Sequence, residues 1–184
     1  MAPADPVLGS LLERARKGDP EAFGELVERT RDRLFGAVVA MVKREAVAEE
    51  ILQETYISLW EEGQSGRVEN PAAWLYRSSV NRAIDHLRRS EPSFCEDMGD
   101  SLAAIPSETP QPDIVLENAE EARALGVLLG NLPPRERSVL VMSDYLGMDS
   151  FEISAALGSS PSTVRSQLAN GRKKLADLLK GGEK

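Results

Sequence analysis

One stretch of this 184-residue chain reads as a linker and not as part of a packed core, and it divides everything else. The segment EPSFCEDMGDSLAAIPSETPQPDIVLE, beginning at residue 91, holds four prolines, repeated serines and little periodic apolar pattern. From residue 91 to residue 122 there is no Lys or Arg and there are nine Asp or Glu, a local net charge of −9. Too little apolar surface is available there to offset the entropy of ordering it. The chain is therefore expected to fold as two small units joined by a tether over 91–119. That tether reads equally as a plain solvated linker or as a segment with a more specific role.

With the tether set apart, the charge looks different. Residues 1–90 carry 13 basic and 15 acidic residues, net −2, and residues 123–184 carry nine basic and six acidic, net +3. The overall charge of −8 is thus weak evidence against nucleic-acid binding by the two ends. One cysteine, Cys95, and one histidine, His86, exclude a disulfide framework and leave too few soft ligands for a structural zinc site. No metal and no cofactor is expected. The opening residues lack a basic start followed by an apolar block, so no secretory signal is expected. No apolar run reaches membrane-spanning length. A reducing, cytoplasmic setting without membrane insertion fits this pattern.

Both halves read as helix, and no strand pattern competes. Asp19 and Pro20 make an N-cap and first-turn pair, after which Phe23, Leu26, Val27, Leu34, Val38 and Met41 recur at helical spacing. A short helix around Leu8–Arg16 precedes it. AVAEEILQETYISLWEE is a further helix, expected to end at Gly63. Asn70 and Pro71 open another, PAAWLYRSSVNRAIDHLRRS. The fold class expected is all-α.

Beyond the tether, a helix over NAEEARALGVLLGNL leads into PPRERSVLVMSDYLG, then SFEISAALG, then SSPSTVRSQLANGRKKL. Two short helices, a glycine turn and a longer helix have the spacing of a helix-turn-helix. Ser150 is expected to cap the first of the pair, with Phe151, Ile153, Ala156 and Leu157 as its buried face. Gly158 then permits the left-handed end. Ser160 and Pro161 open the second, with Val164, Leu168 and Leu175 turned inward. Ser160, Ser162, Thr163, Arg165, Ser166, Gln167 and Asn170 are then left near the outer face and first turns, where a recognition helix meets base edges and phosphates. Arg172, Lys173 and Lys174 suit phosphate contact. A helical hairpin for protein contact is the competing reading.

The helix from residue 74 to 90 has two faces. Tyr76, Val80, Ala83, Ile84 and Leu87 make an apolar stripe, and Arg77, Ser78, Asn81, Arg82, Asp85, Arg88 and Arg89 cover the rest. It reads as a core helix with a solvated charged face. It reads also as a cationic rail for phosphates, with Trp74 and the 63–73 loop positioned to stack unpaired bases at roughly 1–3 kcal/mol each.

AEEILQETYISLWEE, then NPAAWLYRSSVNRAIDHLRR, then a linker, then LPPRERSVLVMSDYLGMDSFEISAALGSSPSTVRSQL together resemble bacterial RNA polymerase sigma factors of the extracytoplasmic-function (ECF) group. The resemblance covers about residues 20–90 and 120–180. It implies a region 2 helical bundle over 1–90, an acidic flexible linker over 91–119 and a region 4 helix-turn-helix over 120–184. It implies core polymerase and promoter DNA as partners, contacts with the β′ clamp helices and the β flap, and control by an anti-sigma factor. By position, Glu49, Glu50, Ile51, Leu52, Gln53, Glu54, Tyr56, Leu59 and Trp60 match the segment that docks on the clamp helices. Arg67, Asn70, Trp74, Arg77, Ser78, Asn81, Arg82, Asp85, Arg88 and Arg89 match the part that opens and reads the minus-ten element, where a flipped base costs a few kcal/mol that pocket contacts offset. The C-terminal residues named above, Ser160 to Lys174, match the reader of the minus-thirty-five element.

Two departures stand out. Gln167 and Asn170 occupy positions where family members often carry arginine, and Gly171 stands where alanine is usual. Glycine inside a helix costs up to about 1 kcal/mol against alanine. An enzyme is a poor fit, since no phosphate loop, paired-carboxylate site or nucleophile constellation stands out. A sigma-like decoy that sequesters an anti-sigma factor without binding DNA leaves the basic faces unexplained. An ordinary helix-turn-helix regulator leaves the first ninety residues unexplained.

Overall fold

The computed structural model describes residues 5–91, 94, 127 and 129–181. All regular structure among them is helical: α1 Pro6–Arg16, α2 Pro20–Val42, α3 Glu45–Gln64, α4 Pro71–Ser90, α5 Pro134–Leu140 continued by a π-helical turn Val141–Tyr145, α6 Ser150–Leu157 and α7 Pro161–Gly181.

Three of the first four helices open with the same device. Asp5, Asp19 and Asn70 each sit in extended backbone before a proline, and their side-chain oxygens accept from Val7 N at 2.9 Å, Ala22 N at 3.1 Å and Ala73 N at 3.0 Å. In α6 the cap is Asp149 rather than the expected Ser150. Its carboxylate accepts from Phe151 N and Glu152 N, both at 2.9 Å, while Asp149 N donates to Glu152 Oε2 at 3.0 Å. This reciprocal box leaves Ser150 as the first helical residue. At α7 the expected cap holds, with Thr163 N donating to Ser160 Oγ at 3.1 Å. Gly158 takes φ +65° and ends α6 as expected. Gly63 does not end α3. It is buried, and a Cβ there would meet Leu12 Cδ1 at 3.0 Å, so its smallness admits α1.

Helices α1–α4 form one bundle around Leu11, Leu12, Leu26, Leu34, Leu59, Leu75, Val80, Ile84 and Leu87. α5, the π turn, α6 and α7 form a second around Val139, Met142, Ile153, Leu157 and Val164. The two bundles share a boundary. Every residue from Leu34 to Val42 is buried, because α1, α3 and α4 cover one side of α2 while α5 and the π turn cover the other. A helix apolar all round is one that is covered all round.

Phe94, placed in the tether by its sequence context, is fully buried. Its carbonyl accepts from Arg135 Nη1 at 3.2 Å, and the guanidinium lies 5.5 Å from its ring centroid. Packing therefore extends past residue 90. The remainder of the tether, including Cys95, and most of the expected helix over 118–132 lie outside the described residues.

Candidate functional site

The inward stripe of α4 consists of Val80, Ala83, Ile84 and Leu87 as expected, joined by Leu75, while Tyr76, expected in it, is only half-buried; the polar residues divide between two outer flanks. On one flank Arg77, Asn81, Asp85 and Arg88 line a groove opposite α6. On the other, Arg82, Asp85, His86 and Arg89 face Glu50 and Glu54 of α3. Arg82 is turned wholly to that second side. It donates from Nη2 to Ser58 Oγ at 2.7 Å and from Nη1 to the Ser78 hydroxyl, and its Nε lies 3.5 Å from Glu54 Oε2. Arg82, braced by Ser78 on its own helix, thus ties α4 to Ser58 and Glu54 of α3.

Arg88 donates from Nη2 to Leu157 O at 3.1 Å and lies 3.4 Å from Asp85 Oδ1, while Arg89 Nε donates to Asp85 O at 3.1 Å. Trp74 is half-buried and donates from Nε1 to Glu62 Oε2 at 3.3 Å. Arg67 stands exposed in the loop before α4. Asn70 spends its carbonyl oxygen on the helix cap.

The nine α3 residues divide by helical phase. Ile51, Leu52, Tyr56 and Leu59 are buried, which turns them into core of this unit. Tyr56 Oη pairs with Thr30 Oγ1 at 2.8 Å, and burial pushes its phenol up to about 12. Glu49, Glu50, Gln53, Glu54 and Trp60 are exposed. Ile57, not singled out from the sequence, joins them at 52% exposure. Its spacing from Gln53 and Trp60, four and three residues, was the available signal. Trp60 packs edge-on against Phe23, centroids 5.0 Å apart, leaving an apolar spot of Ile57 and Trp60 among carboxylates.

On α7, Ser160, Ser162, Arg165 and Asn170 are exposed and Thr163 and Gln167 are half-buried. Ser166 is buried instead of outward. Two of the three expected phosphate cations are ion-paired internally. Arg172 holds Asp144 in the π turn with contacts of 2.5 Å and 3.1 Å, and Lys174 Nζ lies 2.8 Å from Glu136 Oε1 in α5. Lys173 is exposed. Gly171 has its reason here: a Cβ would sit 3.0 Å from Leu140 Cδ1 and 3.2 Å from its Cγ, so glycine lets α7 approach α5. Phe151, expected inward, is 70% exposed on the lip of the α4–α6 groove, because the capping box sets α6 so that Ile153 and Leu157 face the core.

Comparison with known proteins agrees with both halves of this layout. Residues 26–92 match the family model for Sigma-70 region 2, and residues 122–175 match that for Sigma-70, region 4. The chain is 30% identical over 180 residues to the ECF RNA polymerase sigma factor SigE of Mycolicibacterium smegmatis, covering 96% of this chain and 70% of that protein. It is 30% identical over 181 residues to the RNA polymerase sigma factor NccH of Alcaligenes xylosoxydans xylosoxydans, covering 95% of each. Among solved structures, CnrH in complex with the cytosolic domain of CnrY has the same fold, with a TM-score of 0.61 at 24% identity over 95% of this chain and 98% of that one. Two sigma modules in order, on an all-helical frame with a basic α4 face and a helix-turn-helix, place the chain in the extracytoplasmic-function group of RNA polymerase sigma factors, proteins that direct transcription initiation at promoters.

Proposed function

We propose a division of labour by residue within that role. Residues 1–90 seat on core polymerase and hold the separated minus-ten strand, residues 120–184 hold the minus-thirty-five duplex, and the acidic stretch 91–119 spans them. The polymerase-facing surface is the exposed stripe Glu49, Glu50, Gln53, Glu54, Ile57 and Trp60. An apolar spot ringed by carboxylates suits a helix-on-helix contact with the β′ clamp helices. The β flap takes the second unit. Arg67, Trp74, Arg77, Asn81, Arg88 and Arg89 take the non-template strand, with the guanidinium groups tracking phosphates and the indole available for stacking. Ser162, Thr163, Arg165, Gln167, Asn170 and Lys173 take the duplex. The chain acts in the cytoplasm and supplies no catalysis of its own.

The observation that carries this reading is the row Arg77, Asn81 and Arg88 along one capped helix, beginning next to Trp74. An anti-sigma partner is supported by the related fold of CnrH, whose solved structure holds it with the cytosolic domain of CnrY. Run-off transcription with core polymerase and selected promoter fragments tests the whole reading. Transcripts must depend on the chain, and Arg165→Ala must weaken chiefly those promoters that need a minus-thirty-five element. A chain that binds core yet starts no transcript at any promoter overturns it.

A further inference from the structure

The two units do not merely adjoin; a buried cation joins them. Arg137 of α5 is the largest fully buried side chain among the described residues. Its guanidinium donates from Nε to Met41 O at 2.9 Å, from Nη1 to Leu132 O at 3.4 Å and from Nη2 to Glu91 Oε1 at 3.4 Å. Two of these three acceptors belong to the N-terminal unit. Met41 O is free to accept because α2 stops there, with Lys43 in the left-handed region at φ +59° and the last carbonyls left without intrahelical donors. Glu91 is the C-cap of α4. Arginine cannot escape burial by losing its proton, so the charge is tolerated only while those acceptors surround it. Around it, Arg33 Nη2 donates to Tyr145 O at 3.2 Å, Arg88 Nη2 to Leu157 O at 3.1 Å, and Lys43 Nζ to Gly130 O.

This closed arrangement conflicts with simultaneous promoter contact. α6 lies against α4 across the groove that holds Arg77, Asn81 and Arg88. The two promoter elements are centred about 25 base pairs apart, roughly 85 Å at 3.4 Å per base pair. α4 and α6 touch, and α7, with 21 residues, is only about 30 Å long. No closed molecule reaches both elements, and α6 stands across the flank of α4 whose Arg77, Asn81 and Arg88 remain exposed along an open groove.

We propose that Arg137 is the latch of a closed, promoter-incompetent form of this sigma factor. With Met41 O and Glu91 it holds the region 4 unit beside α4, too close for both promoter elements to be reached at once, and engagement of polymerase must release it. The inference rests on α4 and α7 being the two promoter readers. The latch lowers the apparent affinity for polymerase by the fraction of molecules that are open, so weakening it strengthens binding without adding a contact.

The test uses the full chain with Cys95→Ser and spin labels on Glu28→Cys and Asp177→Cys, both exposed and outside the assigned surfaces. The unaltered latch gives one short distance population. Arg137→Met, which keeps much of the buried stem, and Glu91→Ala, at a partly exposed position, shift it to long, broad distances with helicity retained. Both raise apparent affinity for core polymerase, roughly tenfold where about one molecule in ten is open to begin with. If Glu91→Ala keeps the short population, or if a folded Arg137→Met does, the latch is overturned. That result leaves run-off transcription untouched, whereas failure of transcription with the distances shifting as stated overturns the promoter assignment and not the latch.

Discussion

Arg88 and Arg89 at the end of α4, and Arg172, Lys173 and Lys174 in the middle of α7, look alike as letters, yet the fold treats them differently. Around α4 the partners are a backbone carbonyl of α6, a carbonyl of the same helix and the exposed carboxylate of Asp85. Such partners give way readily, because an exposed pair is worth about 0–1 kcal/mol. Around α7 the partners are Asp144, with a side chain 8% exposed, and Glu136, at 13%. Carboxylates so enclosed need their cations. A basic run becomes a nucleic-acid surface or an internal brace according to what lies across from it, and local sequence does not show that.

The sharpest contrast comes from Arg88→Ala with Arg89→Ala. Promoter binding by the holoenzyme should lose about 1.4 from the slope of log affinity against log salt, about 0.7 for each phosphate contact on a separated strand, and open complexes should fall by tenfold or more. Core binding should not fall, since removing the Arg88 bond to Leu157 O loosens closure. Parallel loss of core binding and open complexes would erase the distinction between the two clusters.

Arg172→Ala should do the reverse. Leaving the Asp144 carboxylate buried without its guanidinium costs about 2 kcal/mol, a fall of roughly 4–8 °C in Tm for a chain of this length. The salt slope of duplex binding should stay as it was, because that charge is already spent. A thermal melt and a salt titration on the same preparation read both quantities. Gly171→Ala should follow at about 1 kcal/mol of destabilisation. The helix gains propensity, but the new methyl meets Leu140, itself buried and unable to retreat, at 3.0 Å and 3.2 Å.

Those outcomes show where sequence patterns suffice. Helix starts were readable because Asp19-Pro20 and Asn70-Pro71 satisfy free amides with local chemistry alone. Apolar phase in α4 was readable for the same reason: one face is buried and the other is not. Phase failed where a helix is covered on several sides. Ile51, Leu52, Tyr56 and Leu59 looked like a docking stripe and proved to be core, while Ile57 one step around is exposed. The run from Leu34 to Val42 is buried on every side, a signal that the single-stripe reading of Leu34, Val38 and Met41 passed over, and the further cover is α5 with the π turn. Long-range pairs such as Arg137 with Met41 O, 96 residues apart, have no local signature at all.

Lys173→Ala is the smallest of these effects and the most discriminating within α7. Two residues past Gly171 on a helix of 3.6 residues per turn, Lys173 lies about 200° from the face that packs on α5, and it is exposed. Its loss should therefore leave stability within about 0.5 kcal/mol of the parent and lower the duplex salt slope by about 1. Arg172, one position back, should move Tm and leave the slope. Were both to move the slope equally, the Asp144 pair would have to open on DNA, and the brace would be a contact held in reserve.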